Sequence, residues 1–178
     1  MATTEKTAAL TESEERNLRA VSDVLEFWNV HDIDGVLTFY DDAIEWRNIA
    51  MEETYKGKEE VGRFLGRLFT AIPDLRFEVS YKIARGDNVS EQWTIAGTHT
   101  GTLFGVPGTG RTVLLPGMSM VTMRDGKFLR DDFYFDSGIF LRQVGLMPSV
   151  KAIEKPLARG LLKAVVGTKR ATRRLLRR

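Results

Sequence analysis

DGKFLRDDFYFDSGIFLRQVG, residues 125–145, is the stretch that decides the fold. Its Asp-Gly pair favours a tight hairpin turn. The strand that follows carries Asp131, Asp132 and Asp136 among aromatic side chains, then runs into a short amphipathic helix expected over 137–144. Carboxylates inside an apolar strand are costly to bury, so each must be paired, exposed or put to use. Strand alternation sets 131, 133 and 135 on one face and 132, 134 and 136 on the other.

Upstream of that turn the period is two for some fifty residues. Phe77, Val79, Tyr81 and Ile83 alternate with polar residues up to the turn at 85–88. Val89, Glu91, Trp93 and Ile95 share one phase of the next strand, which extends to about 102. A Gly/Pro-rich loop (105–110) and another long strand (112–124) lead back to the Asp-Gly turn. Short turns between consecutive strands predict an antiparallel meander. Before it the period is helical. Thr11 with Glu14 reads as a capping box for a helix over 13–30, with Leu18, Val21, Val24, Leu25 and Trp28 on its apolar face. A short helix is expected over 33–41, with Val36, Leu37 and Tyr40 inward, then a strand at 43–48. Residues 51–56 read as a loop or a second short strand. A third helix has the stripe Val61, Phe64, Leu65, Leu68, Phe69 and Ile72 and is stopped by Pro73. Helices first and a long sheet after is an α+β pattern.

At 178 residues the chain is long enough for one well-packed domain. A lead-in over 1–10 reads as disordered, the domain as 11–148, and 149–178 as a basic, partly helical tail. Residues 151–178 hold ten Lys/Arg against one acid, Glu154, leaving sixteen basic and twenty-three acidic groups elsewhere. Such a tail could meet an anionic membrane surface; without stacking aromatics or a reading motif, nucleic acid is not an expected partner. The absence of cysteine excludes disulfides, a thiolate nucleophile and Cys-based metal sites. His31 and His99 lie too far apart in sequence for metal-ligand spacing, so no metal is expected. The N-terminal residues lack the features of a secretory signal, and a cytoplasmic protein is expected.

Three segments, FTAIPDLRFEV (69–79), GTHTGTLFGVPGTGR (97–111) and DGKFLRDDFYFDSGIFLRQVGLMP (125–148), resemble in order and spacing those of the SnoaL-like polyketide cyclases, within the nuclear transport factor 2-like superfamily. The resemblance covers about 14–148. It implies a cone-shaped α+β barrel, N-terminal helices packed on a curved, mainly antiparallel sheet around a small-molecule pocket. It also implies a homodimer through the outer sheet face. The implied chemistry is cofactor-independent proton transfer (cyclisation, isomerisation or hydration) on an apolar, carbonyl-bearing ring compound. The alternative is a non-catalytic protein of the same fold that binds a hydrophobic ligand.

The family's acid/base aspartate, six residues after the lysine of the DGK turn, falls here on Phe133, and its accompanying histidine falls on Ser119. If Phe133 keeps the family's inward direction, Asp131 also points inward and becomes the candidate acid/base; otherwise it is a rim carboxylate paired with an arginine. Asp136 suits a helix N-cap. His99 either polarises a carbonyl or bonds backbone at a strand end. His31, ending a helix, reads as structural. Asn48 shares a strand face with Trp46 and could hold a water or carbonyl. Trp28, Tyr40, Trp46, Phe64, Ser119, Phe133 and Phe135 complete the expected binding surface.

Overall fold

The structure, a computed structural model, describes residues 9–149 and 151. The expected disordered lead-in and basic tail therefore lie, but for a few bordering residues, outside the described residues. Helix α1 (Glu12–Val30) starts where expected. The Thr11 hydroxyl accepts from Glu14 N at 3.3 Å and the Glu14 carboxylate accepts from Thr11 N at 2.8 Å. Glu12, Glu14 and Glu15 in its first turn suit the positive end of the helix dipole. It ends at His31, whose φ of 59° is left-handed. The imidazole stacks on Phe69 at 4.4 Å and its Nε2 donates to the Leu75 carbonyl at 3.1 Å.

Helix α2 (Ile33–Thr38) is shorter than the expected 33–41. Tyr40 instead opens strand β1 (Tyr40–Asn48), pairing with Phe128 and packing ring to ring at 5.1 Å. The sheet claims the segment before the helical stripe can continue. A 3-10 turn (Ile49–Met51) and a short strand β2 (Glu53–Lys56) follow, resolving 51–56 mainly as a strand. Helix α3 (Gly57–Ala71) buries Val61, Phe64, Leu65, Leu68 and Phe69, the face predicted for it.

The meander is β3 (Arg76–Arg85), β4 (Asn88–His99), β5 (Arg111–Arg124) and β6 (Lys127–Phe135), closed by helix α4 (Ser137–Gln143). Sheet order is β2-β1-β6-β5-β4-β3. Every pairing is antiparallel except β1 with β6, which is parallel. Register shifts between Val79 and Tyr81 and between Thr122 and Met123 mark irregularities of the kind that bend strands. The inner face of this curved sheet carries Val89, Trp93, Val113, Val121 and Phe133 and packs on α1 and α3. Among the described residues no helix is long and apolar enough to cross a membrane.

Candidate active site

An apolar cavity lies between the inner face of the sheet and the helices. About 70 Å³ of it is open to the centre of a water molecule, and the surrounding free space, mouth included, is about 830 Å³. That is room for several waters or a small ring compound. Asp131 and all seven expected binding residues line it: Trp28, Tyr40, Trp46, Phe64, Ser119, Phe133 and Phe135.

Asp131 reaches the cavity because β6 follows the predicted alternation. Phe133 is buried against Trp46 at 4.8 Å, so 131 points inward with it. Only 5% of Asp131 is exposed, which rules out the rim position. No arginine pairs with it among the described residues. Trp46, its partner in β1, donates Nε1–H to Asp131 Oδ2 at 2.8 Å. Oδ1 is buried without a hydrogen-bond partner. Burial pushes the carboxyl up to about 7. The Trp46 indole pulls it down, as does the Ser119 hydroxyl, which stands close without completing a bond to Oδ1; the charge of Asp132 adds to the rise.

Trp93 supports this arrangement from the neighbouring strand. Its Nε1 donates to Ser119 Oγ at 3.0 Å. The indole lies flat over β5 because Gly117 has no side chain; a Cβ there would stand 2.2 Å from the ring. Tyr40, also in the wall, has its phenol raised well above the usual range by burial and then by the charges of Asp131 and Glu91.

Asp132 and Asp136 are held in structural contacts outside the cavity. Asp132, on the outer face, accepts from Arg47 Nε at 2.5 Å and Arg130 Nε at 3.0 Å. Partial burial works against its charge, but the two guanidinium groups hold it below the ordinary carboxylate range. Asp136 caps α4 by accepting from Ile139 N at 3.1 Å, with Arg142 3.6 Å away.

Asn48 and His99 are placed differently. Asn48 is fully buried, but its Oδ1 accepts from Met51 N at 3.2 Å and caps the 3-10 turn, while Nδ2 has no partner. His99 is fully buried at the end of β4, with Nδ1 3.2 Å from Thr109 Oγ1 and Nε2 unpartnered. Its ring stands edge-on to Phe140 at 5.6 Å. Phe140 lines the cavity; His99 and Asn48 do not. Burial lowers the imidazole from its ordinary value, which favours its neutral form. Among the described residues no three His, Asp or Glu side chains cluster as metal ligands.

Glu91 is a second carboxylate of the cavity wall, with no role among the expectations drawn from the sequence. It lines the wall and is 6% exposed. The signal was present in its phase, shared with Val89 and Trp93, since a residue in register with a buried stripe is buried with it.

Residues 18–144 match the protein family described as SnoaL-like polyketide cyclase. Among solved structures, a candidate SnoaL-like polyketide cyclase from Jannaschia sp. CCS1 is 22% identical with a TM-score of 0.70, covering 79% of this chain and 99% of its own. AclR of Streptomyces galilaeus, named as a candidate hydroxylase, is 21% identical with a TM-score of 0.67, covering 76% and 99%. IdmH of Streptomyces antibioticus, named as a candidate polyketide cyclase, is 20% identical with a TM-score of 0.63, covering 72% and 98%. At these identities the likeness establishes the fold. No curated protein matches the chain.

Proposed function

The chain belongs to the SnoaL-like polyketide cyclase family, and from that premise we propose that it catalyses cofactor-independent proton transfer on an apolar, carbonyl-bearing ring compound. Cyclisation, isomerisation and hydration all need such a step. One observation carries the reading: Asp131 Oδ1 is unpartnered in an aromatic cavity, while Oδ2 is held by Trp46. A carboxylate oriented at one oxygen and open at the other, with its pKa near 7, can take and return a proton at neutral pH. Trp28, Phe64 and Phe135 offer ring faces to a flat substrate, and Trp46 sets the direction of Oδ1. His99 and Asn48 contribute from behind the wall, by holding Phe140 and the 3-10 turn in place.

The test uses an apolar bicyclic ketone, 2-tetralone, and follows exchange of its α-protons for deuterium in heavy water by NMR. The protein accelerates exchange; Asp131→Asn abolishes the acceleration while tryptophan fluorescence still reports binding. Equal exchange rates for the two proteins remove Asp131 from the chemistry.

Phe133 favours a second reading, ligand binding without turnover, because it occupies the position of the family's catalytic aspartate. Native mass spectrometry showing a retained apolar ligand, with no catalysis of exchange, would support it. For assembly, the outer sheet face leaves Tyr81, Ile83, Met118, Met120 and Tyr134 exposed, which supports pairing of two copies there. Sedimentation of Met120→Glu as a monomer, against a dimeric parent, tests that pairing.

A further inference from the structure

The proton-transfer reading leaves Glu91 unused, although it shares the cavity with Asp131. β4 pairs it with Ser119 of β5, and β5 in turn pairs Ser119 with Phe133 of β6. Asp131 is one inward step along β6 from Phe133 and pairs with Val121. The two carboxylates thus lie on the same concave floor, two strands apart and diagonal to each other, with the Ser119 hydroxyl on the strand between. Ser119 Oγ accepts from Trp93, so its own proton is available to a neighbouring carboxylate oxygen.

A structural role would show a partner. Among the described residues Glu91 makes no ion pair within bonding distance. Lys82, opposite it on β3, instead donates its Nζ to Ser22 of α1. Burying a second acid beside the first costs free energy unless it is kept neutral. Burial and then the charge of Asp131 push Glu91 up to about 8, against a smaller pull from Lys82 and Ser119. Asp131 stands at about 7. Burial thus raises both carboxyls and the charge of Asp131 raises Glu91 further, which favours Glu91 as the protonated member of the pair; two carboxyls in unlike surroundings can divide into an acid and a base.

Building on the proton-transfer reading, we propose that Glu91 is the second reacting group of this cavity, the acid that works with Asp131 on the substrate's carbonyl. The carboxylic acid of Glu91 donates its O–H to the carbonyl oxygen while Asp131 Oδ1 takes a proton from the adjacent carbon. The C–H bond breaks and its electron pair becomes the new C=C bond. The carbonyl π pair moves to oxygen, which takes up the Glu91 proton. The enol then returns to a ketone by the reverse transfers, or its C=C pair forms a bond to a second carbonyl carbon of the same molecule; the π pair of that carbonyl moves to its oxygen, which takes the proton from Asp131, while the enol O–H returns its proton to Glu91 and a ring closes. No oxidant or reductant is consumed. The charged and titratable groups facing Glu91 are Asp131 on β6, Tyr40 on β1 and Lys82 on β3, with Asp23 of α1 acting on Lys82.

The experiment compares the full chain with Glu91→Met, Glu91→Gln and Asp131→Asn on two probes. Exchange of 2-tetralone in heavy water needs both base and acid. Ring opening of 5-nitrobenzisoxazole breaks a C–H and an N–O bond and releases a stabilised phenolate, so it needs the base alone. Glu91→Met should slow exchange by about 100-fold, the ordinary worth of a positioned acid, and leave ring opening nearly intact. Glu91→Gln should recover part of the exchange rate, since its amide donates a hydrogen bond. Both variants should lose the alkaline fall of the exchange–pH profile. Equal losses on the two probes in folded Glu91→Met overturn the proposal in favour of a role through Asp131, and unchanged exchange overturns it outright. Failure of the underlying reading looks different: Asp131→Asn retains both activities, or the parent protein acts on neither probe.

Discussion

Replacing Asp131 by Asn should stabilise the protein, and only where the wild-type carboxyl would be charged. The carboxyl is raised from 3.8 to about 7 in the fold, chiefly by burial. Between those two values the native state holds a proton that the unfolded chain has released. Stability then falls as pH rises, at about 1.4 kcal/mol per pH unit, and the full cost is reached above about pH 7. The distance between the two values sets that cost at about 4 kcal/mol as a ceiling. Asparagine is close in shape, its Oδ1 can still accept from Trp46 Nε1, and it carries no charge to bury. Urea unfolding of both proteins should therefore agree to within about 0.5 kcal/mol near pH 4 and separate by about 2–4 kcal/mol, variant higher, near pH 8.5. The charge of Asp131 also helps to raise Glu91, so its removal relieves the second carboxyl in the same direction. Parallel stability curves across that range would refute the account of Asp131 as a carboxylate buried against its own solvation.

Trp46→Phe removes the indole donor that favours the charged form of Asp131, so the acid limb of the exchange–pH profile should move to higher pH; a limb that stays in place contradicts this. Gly117→Ala places a methyl group against the Trp93 ring and should cost about 1–3 kcal/mol by urea unfolding, weakening ligand binding as the indole is displaced. Thr11→Ala breaks the capping box far from the cavity and should cost about 1 kcal/mol with no change in the exchange rate.

Much of this was legible because the governing interactions are local or periodic. With Phe133 inward, alternation along β6 sends Asp131 inward and Asp132 outward, and the strand-to-helix junction marks Asp136 as the cap of α4; the pairing of Asp132 with Arg47 and Arg130 was not foreseen. Tyr40 was misplaced because its spacing from Val36 continues a helical stripe, whereas the competing pairing with Phe128 is made across the whole length of the domain. The parallel union of β1 and β6 has the same character: nothing near residue 46 announces residue 131. Glu91 was visible by phase, but a charged side chain in a strand is ordinarily solvated, and only the packed helices show that this one is not. Asn48 and His99 carried suitable chemistry; their burial behind the wall depends on the 3-10 turn and on Phe140, which no pattern in their own strands encodes.

The position of β6 in the sheet has a consequence for how the domain comes together. It is the last of the described strands, yet it lies between β1 and β5 and carries the strand pairing that joins the β2-β1 pair to the β5-β4-β3 block. A nascent chain can form its helices and both blocks, but cannot join them until residues 127–135 arrive. Contacts so distant in sequence close slowly. Asp131 must also shed its water at that moment. Insertion of the strand is therefore the step at which proton uptake and chain closure coincide, and refolding should run faster at mildly acidic pH than at alkaline pH.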